Sequence, residues 1–154
     1  MIQITHLTKT YGRARGVTDL SLHVPRGSCF GFIGPNGAGK STTIRTLLGL
    51  ISPTAGEARV MGLDCVRDRA AILAQVGYMP SEAVFYPEMR VSEVIRLSAD
   101  LRKRDCREEA AALCEALGLD GRKRIRELSL GNRKKVSIVC AMQHRPALYV
   151  LDEP

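Results

Sequence analysis

Tryptophan is missing from this sequence of 154 residues, and Phe and Tyr supply only 5% of it. The core must therefore rest on Leu, Ile, Val, Ala and Met, a composition suited to helices packed on a buried sheet. The five cysteines (Cys29, Cys65, Cys106, Cys114 and Cys140) never form a C-x-x-C pair, and only three histidines accompany them. That excludes a zinc constellation and reads as reduced thiols in a reducing compartment. No charged-then-apolar leader opens the chain, and no apolar run approaches the roughly 18 residues needed to cross a bilayer. The expectation is a soluble, cytoplasmic chain with no direct membrane insertion, reaching a membrane surface only through a partner.

What is present is apolar content of 45%, enough for the core of one ordinary domain. Lys and Arg number 23 against 16 Asp and Glu, a formal net charge of +7. Such a surplus admits polyphosphate, nucleic acid, an acidic membrane surface or an acidic partner, and selects none of them. Residues 100–135 carry eleven basic and seven acidic residues, the pattern of a solvated face.

Alternation of apolar and polar residues predicts strands around Ile2 and Ile4 and around Leu20, Leu22 and Val24, paired antiparallel across a Gly-containing loop. Cys29 to Ile33 is a compact apolar run, predicted as a buried parallel strand. Ser41 to Leu50 reads as a helix closed near Gly49. Short strands are predicted at Glu57–Met61 and Val76–Met79. Val91, Val94, Ile95, Ser98 and Leu101 follow helical spacing, as do Ala110, Leu113, Cys114 and Leu117, with Gly118 as C-cap. Ser129 caps a further helix running to about His144, and Leu148–Leu151 is a final buried strand.

Gly34-Pro35-Asn36-Gly37-Ala38-Gly39-Lys40-Ser41 satisfies G-x-x-x-x-G-K-[ST], placed between a predicted strand and a predicted helix. Glycines let successive N–H groups turn inward as an anion nest, and the helix adds the positive end of its dipole. Lys40 supplies an ammonium for the β- and γ-phosphates, Ser41 a hydroxyl for Mg²⁺, and Thr42 further contacts to phosphate oxygens. At the other end, Leu148-Tyr149-Val150-Leu151 carries Asp152 and Glu153 at its carboxyl tip, where ligands gather in open α/β sheets. Asp152 would hold Mg²⁺ and Glu153 would polarise an attacking water.

Between these motifs, Leu128-Ser129-Leu130-Gly131-Asn132 precedes Arg133-Lys134-Lys135. This segment resembles the signature of ATP-binding-cassette (ABC) proteins, usually L-S-G-G-Q before a basic helix, and the resemblance runs through the whole chain in order. It implies an α/β fold of the P-loop NTPase kind: a RecA-like parallel core, an N-terminal antiparallel β-subdomain and a helical insertion. Residues 1–85 and 128–154 would be core and β-subdomain, and residues 86–127 the helical subdomain. It further implies that Tyr11 stacks on adenine and that the cofactors are ATP and Mg²⁺. Two cassettes would pack head to tail, so that Ser129, Gly131 and Asn132 of one face the γ-phosphate held by the other. The sequence departs from the pattern at Leu130 and Asn132 and at Ser81, where the family has a glutamine; Glu82 follows it. His144 lies at the end of the signature helix and is not the family's switch histidine.

The resemblance implies an ATPase subunit, peripheral on the cytoplasmic face of the cell membrane beneath a transmembrane permease, of the two-component drug-efflux kind. The surface around residues 82–105 would receive the permease. The competing readings are a non-transport cassette acting on nucleic acid or the ribosome, and a catalytically silent ATP-binding fragment; nucleic acid is not the expected partner. Because the family continues past Pro154, the chain is expected to be a truncated cassette that binds ATP weakly and hydrolyses little.

Overall fold

The computed structural model describes residues 1–12 and 14–153. They form two compact units, Met1–Leu73 and Ala74–Pro154, each taken by itself below.

The first unit is built on a four-stranded antiparallel sheet. Strand β1 (Ile2–Tyr11) pairs with β2 (Ala14–Val24), setting Ile2 against Val24, Ile4 against Leu22 and Leu7 against Leu20. The predicted hairpin is thus observed. The register shifts between Ile4 and Leu7, where His6 (φ 48°) and Asp19 (φ 50°) take left-handed conformations. This bulge resets the alternation, so Ile2, Ile4 and Leu7 all face the core despite their uneven spacing. Strand β3 (Ala55–Val60) adds to the other edge of β1, and β4 (Leu63–Asp64) to β3, giving the order β2-β1-β3-β4. Met61 (φ 55°) and Gly62 (φ 80°) are both left-handed, as the tight turn between β3 and β4 demands. That turn ends the strand one residue before the predicted Met61.

Helix α1 (Lys40–Leu47) packs on β2 and β3. Its buried threonines satisfy their own hydroxyls: Thr43 Oγ1 donates to the Gly39 carbonyl at 3.0 Å and Thr46 Oγ1 to that of Thr42 at 2.9 Å. Gly49 (φ 65°) closes the helix as predicted, with Gly49 N donating to Thr46 O and Leu50 N to Arg45 O. A side chain there would lie 2.3 Å from the Cys65 carbonyl, so glycine is required twice over. A short helix α2 (Arg69–Leu73) completes the unit, and burial pushes the Cys65 thiol up to about 12.

In the second unit, β5 (Val76–Met79) and β6 (Leu148–Leu151) pair in parallel, Val76 opposite Leu148 and Met79 opposite Leu151. Helices α3 (Val91–Leu101), α4 (Arg107–Leu117) and α5 (Leu130–Met142) stand on the predicted segments. Val91, Val94, Ile95, Ile125, Leu128, Val136 and Val139 form their shared core, with Leu113, Cys114 and Leu117 packed against it. Gly118 (φ 63°) ends α4 as predicted. Helix α5 presses so closely on β5 that a side chain on Gly77 would lie 2.1 Å from the Ala141 carbonyl.

Two expectations fail. Residues 28–35 form no strand, and Phe30 and Ile33 are 48% and 93% exposed. A strand exists only as one side of a ladder, and the Cys29–Ile33 run finds no ladder partner among the described residues. Leu148–Leu151 is a strand but not a buried one: Tyr149 and Leu151 are 45% and 41% exposed. Among the described residues it pairs on one side only, so alternate side chains remain uncovered.

Candidate functional site

The predicted site residues divide between the units. Tyr11 and Gly34–Thr42 belong to the first; Ser129, Gly131, Asn132, Asp152 and Glu153 belong to the second.

In the first unit the segment from Gly34 forms a tight loop, Ala38 N donating to the Pro35 carbonyl at 3.1 Å. Gly37 (φ 80°) and Gly39 (φ 90°) are left-handed, and Gly39 is the residue from which α1 starts. The two glycines serve differently. A side chain on Gly37 would meet open space, whereas one on Gly39 would lie 2.5 Å from Val17 Cγ2 and 3.0 Å from the Gly16 carbonyl. Gly39 thus seats the loop directly on β2.

The start of α1 is left open. It has no side-chain cap and no acidic residue in its first turn. The first bond of its ladder runs from Thr43 N to Gly39 O at 2.8 Å, leaving the amides of Lys40, Ser41 and Thr42 without an acceptor among the described residues. Lys40 reaches back over the loop, donating from Nζ to the Gly34 carbonyl at 2.6 Å and the Pro35 carbonyl at 3.1 Å. Among the described residues no carboxylate pairs with it. Free amides, a helix dipole and an unneutralised ammonium converge on one spot, an arrangement that fits a phosphate chain. Ser41 is exposed on the same first turn, free to offer its hydroxyl to a cation bound beside the phosphates.

Tyr11 is 42% exposed at the end of β1. Lys9 Nζ lies 5.3 Å from the centroid of its ring, within cation–π range. Sequence reasoning missed Lys9, though strand periodicity places it two residues before Tyr11 on the same side of β1.

In the second unit, Ser129 caps α5 as predicted, its Oγ accepting from Asn132 N at 3.3 Å. Leu130 is 70% exposed, and a side chain on Gly131 would meet nothing within 4 Å. Asp152 is buried at the tip of β6, its amide donating to the Met79 carbonyl at 2.9 Å. Glu153 follows in a left-handed conformation (φ 53°). Lys134 Nζ donates to the Glu153 carbonyl at 2.7 Å, so the basic turn after the signature segment is tied to the acidic tip. Lys134 was legible only as one of a basic trio. His144 is buried at the foot of α5, with Nε2 at 3.3 Å from the Val76 carbonyl. Burial and the nearby Arg102 hold its pKa below the usual histidine value. Ser81 is half-buried in the segment after β5 and Glu82 is exposed.

Residues 17–154 match the ABC transporter family. The chain is 37% identical over 159 residues to YhaQ of Bacillus subtilis (strain 168), an uncharacterized ABC transporter ATP-binding protein; the match covers 100% of the chain and 52% of YhaQ. It is 35% identical to the bacitracin transport ATP-binding protein BcrA of Bacillus licheniformis, covering all of the chain (100%) and 51% of BcrA. With YbhF of Escherichia coli (strain K12), a probable multidrug ABC transporter ATP-binding protein, identity is 34% over 100% of the chain and 28% of YbhF. The chain therefore spans about half the length, or less, of these relatives. A solved ATP-binding subunit of an ABC transporter superposes with a TM-score of 0.88 at 29% identity, covering 98% of this chain and 65% of that one. The dimeric cassette MJ0796 gives 0.86 at 22% identity, covering 98% and 73%, a likeness of fold. No described helix is long and apolar enough to cross a membrane. Because the family model matches residues 17–154, well over half of the sequence, this chain belongs to the ABC transporter family.

Proposed function

We propose that the chain is the nucleotide-binding part of an ABC transporter ATP-binding subunit, one that binds MgATP and, in the whole protein, hydrolyses it to drive a membrane permease. The open start of α1 beneath Lys40 supports this best: among the described residues it offers three amides without an acceptor and an ammonium without a carboxylate partner, the groups a triphosphate requires. Tyr11, exposed at the end of β1, would stack on the adenine. Ser41 in the first unit would be a ligand for Mg²⁺, and Asp152 in the second is the other residue proposed to hold the ion, which would supply positive charge against that developing on the phosphates. Glu153 would orient the attacking water. Residues 86–127 form the helical subdomain. Ser129, Gly131 and Asn132 act across a head-to-tail pair of cassettes, the exposed Leu130 making that face bulkier than a glycine would. The names of BcrA and YbhF, bacitracin and multidrug transport respectively, favour export. Such a subunit works on the cytoplasmic face of the membrane.

Calorimetric titration of the chain with MgATP tests the reading. Lys40→Ala is expected to weaken binding by about tenfold to a hundredfold, the worth of one to two charge-assisted hydrogen bonds. Equal affinity in the two proteins would refute it.

A further inference from the structure

A groove of about 770 Å³ runs between α3 and α4, apart from every residue assigned above to the nucleotide, and its α3 side falls within the 82–105 stretch expected to receive a permease. Its size falls within the roughly 300–1,000 Å³ usual for small-molecule sites. Ile95 and Ala99 of α3 and Ala110 and Cys114 of α4 give it apolar walls.

Gln143 also lines the groove and is 2% exposed. Its Nε2 donates to the Ile95 carbonyl at 3.0 Å, while its Oε1 has no partner among the described residues. A buried amide oxygen left unbonded is costly and calls for a donor. The mouth is cationic. Arg96 is paired with Asp100 at 3.6 Å and Arg107 with Asp105 at 2.6 Å. Lys103 and Arg104 have no carboxylate partner among the described residues, and Arg104 Nη1 donates instead to the neutral His144 carbonyl at 2.9 Å. Two positive charges are thus left over.

The lysine also sits where glycine belongs. Lys103 N donates to Asp100 O and Arg104 N to Ala99 O, the closing pattern also seen at Gly49 and Gly118, yet Lys103 holds φ 53°. A side chain retained at a left-handed helix end costs stability and puts a mobile ammonium at the mouth.

We propose that this groove binds a small amphipathic organic anion: an apolar body between α3 and α4, an inner hydroxyl or amide N–H donating to Gln143, and a carboxylate or phosphate at Lys103 and Arg104. The site is independent of the nucleotide reading and stands or falls without it.

Calorimetric titration of the chain with p-hydroxyphenylbutyrate, phenylbutyrate and phenylbutyramide separates the three contributions. The hydroxy acid is expected to bind tightest, the plain acid several-fold weaker, and the amide about tenfold weaker again. Lys103→Gly is the decisive variant, because it relieves the left-handed strain while removing the charge: the melting temperature should rise and acid binding should fall. Gln143→Leu, if folded, should erase the preference for the hydroxyl. Equal binding of acid and amide, undiminished acid binding by Lys103→Gly, or no binding at millimolar ligand would overturn the proposal.

Discussion

Helices α1 and α5 each begin at a segment the sequence singles out, and they begin in opposite ways. Helix α1 starts from a left-handed glycine with no side-chain cap, and its first amides find no acceptor among the described residues. Helix α5 starts from Ser129, whose hydroxyl takes the Asn132 amide for itself. One helix end has a side chain that takes one of its free amides, and the other has none. Forgoing a cap costs stability, so a helix that does without one, with a lysine poised above it, marks where the ligand's own oxygens complete the structure.

The contrast can be broken or sharpened by substitution. The largest effect on the fold is expected from Gly39→Ala, which combines left-handed strain of about 1–2 kcal/mol with overlap against Val17. A melt monitored by circular dichroism should show a drop of several degrees, together with loss of nucleotide binding; an unchanged melt would mean that the loop is not seated on β2 as described. Ser129→Ala should cost about 1 kcal/mol, the worth of an N-cap, measurable by urea unfolding. A neutral result there would erase the distinction between the two helix starts.

A smaller effect separates the units by pH. Burial lowers the His144 pKa from the ordinary 6.5, so the unfolded chain takes up that proton first. The stabilisation from keeping His144 neutral is complete above pH 6.5 and is lost as pH falls below it toward the lower folded value. Unfolding curves from pH 7.5 down to about 5 should show this decline, and His144→Gln should flatten it. Least of all should follow from Gly131→Ala. Its side chain would enter open space on a helix, so stability should hold or rise by up to about 1 kcal/mol. A marked loss would show that the signature glycine serves the isolated fold, not an approaching partner.

Much of this was legible in the chain. Alternation placed the β1–β2 hairpin, helical spacing placed α3 and α4, and Gly49, Gly118 and Ser129 marked their helix ends because each has a local stereochemical reason. The tight loop from Gly34 to Gly39 was legible for the same cause: it is built by consecutive residues. What failed depends on partners distant in sequence. The apolar run Cys29–Ile33 states a wish for burial but cannot name the strands that would grant it, and β6 likewise reads as buried until its neighbours are counted. The bulge at His6 and Asp19, the ammonium of Lys9 on Tyr11 and the tie from Lys134 to Glu153 are all side-chain or register details that a linear pattern does not encode.

The two hydrogen bonds from Lys40 to the Gly34 and Pro35 carbonyls fix the starting point for any ligand. Before nucleotide arrives, the ammonium is already solvated by backbone dipoles and its long stem already immobilised. On the proposed function, arrival of a triphosphate would be an exchange of one set of oxygens for another, with little rotamer freedom left to lose. Affinity at this loop should accordingly respond strongly to the charge of the incoming group and only weakly to how flexible the lysine is.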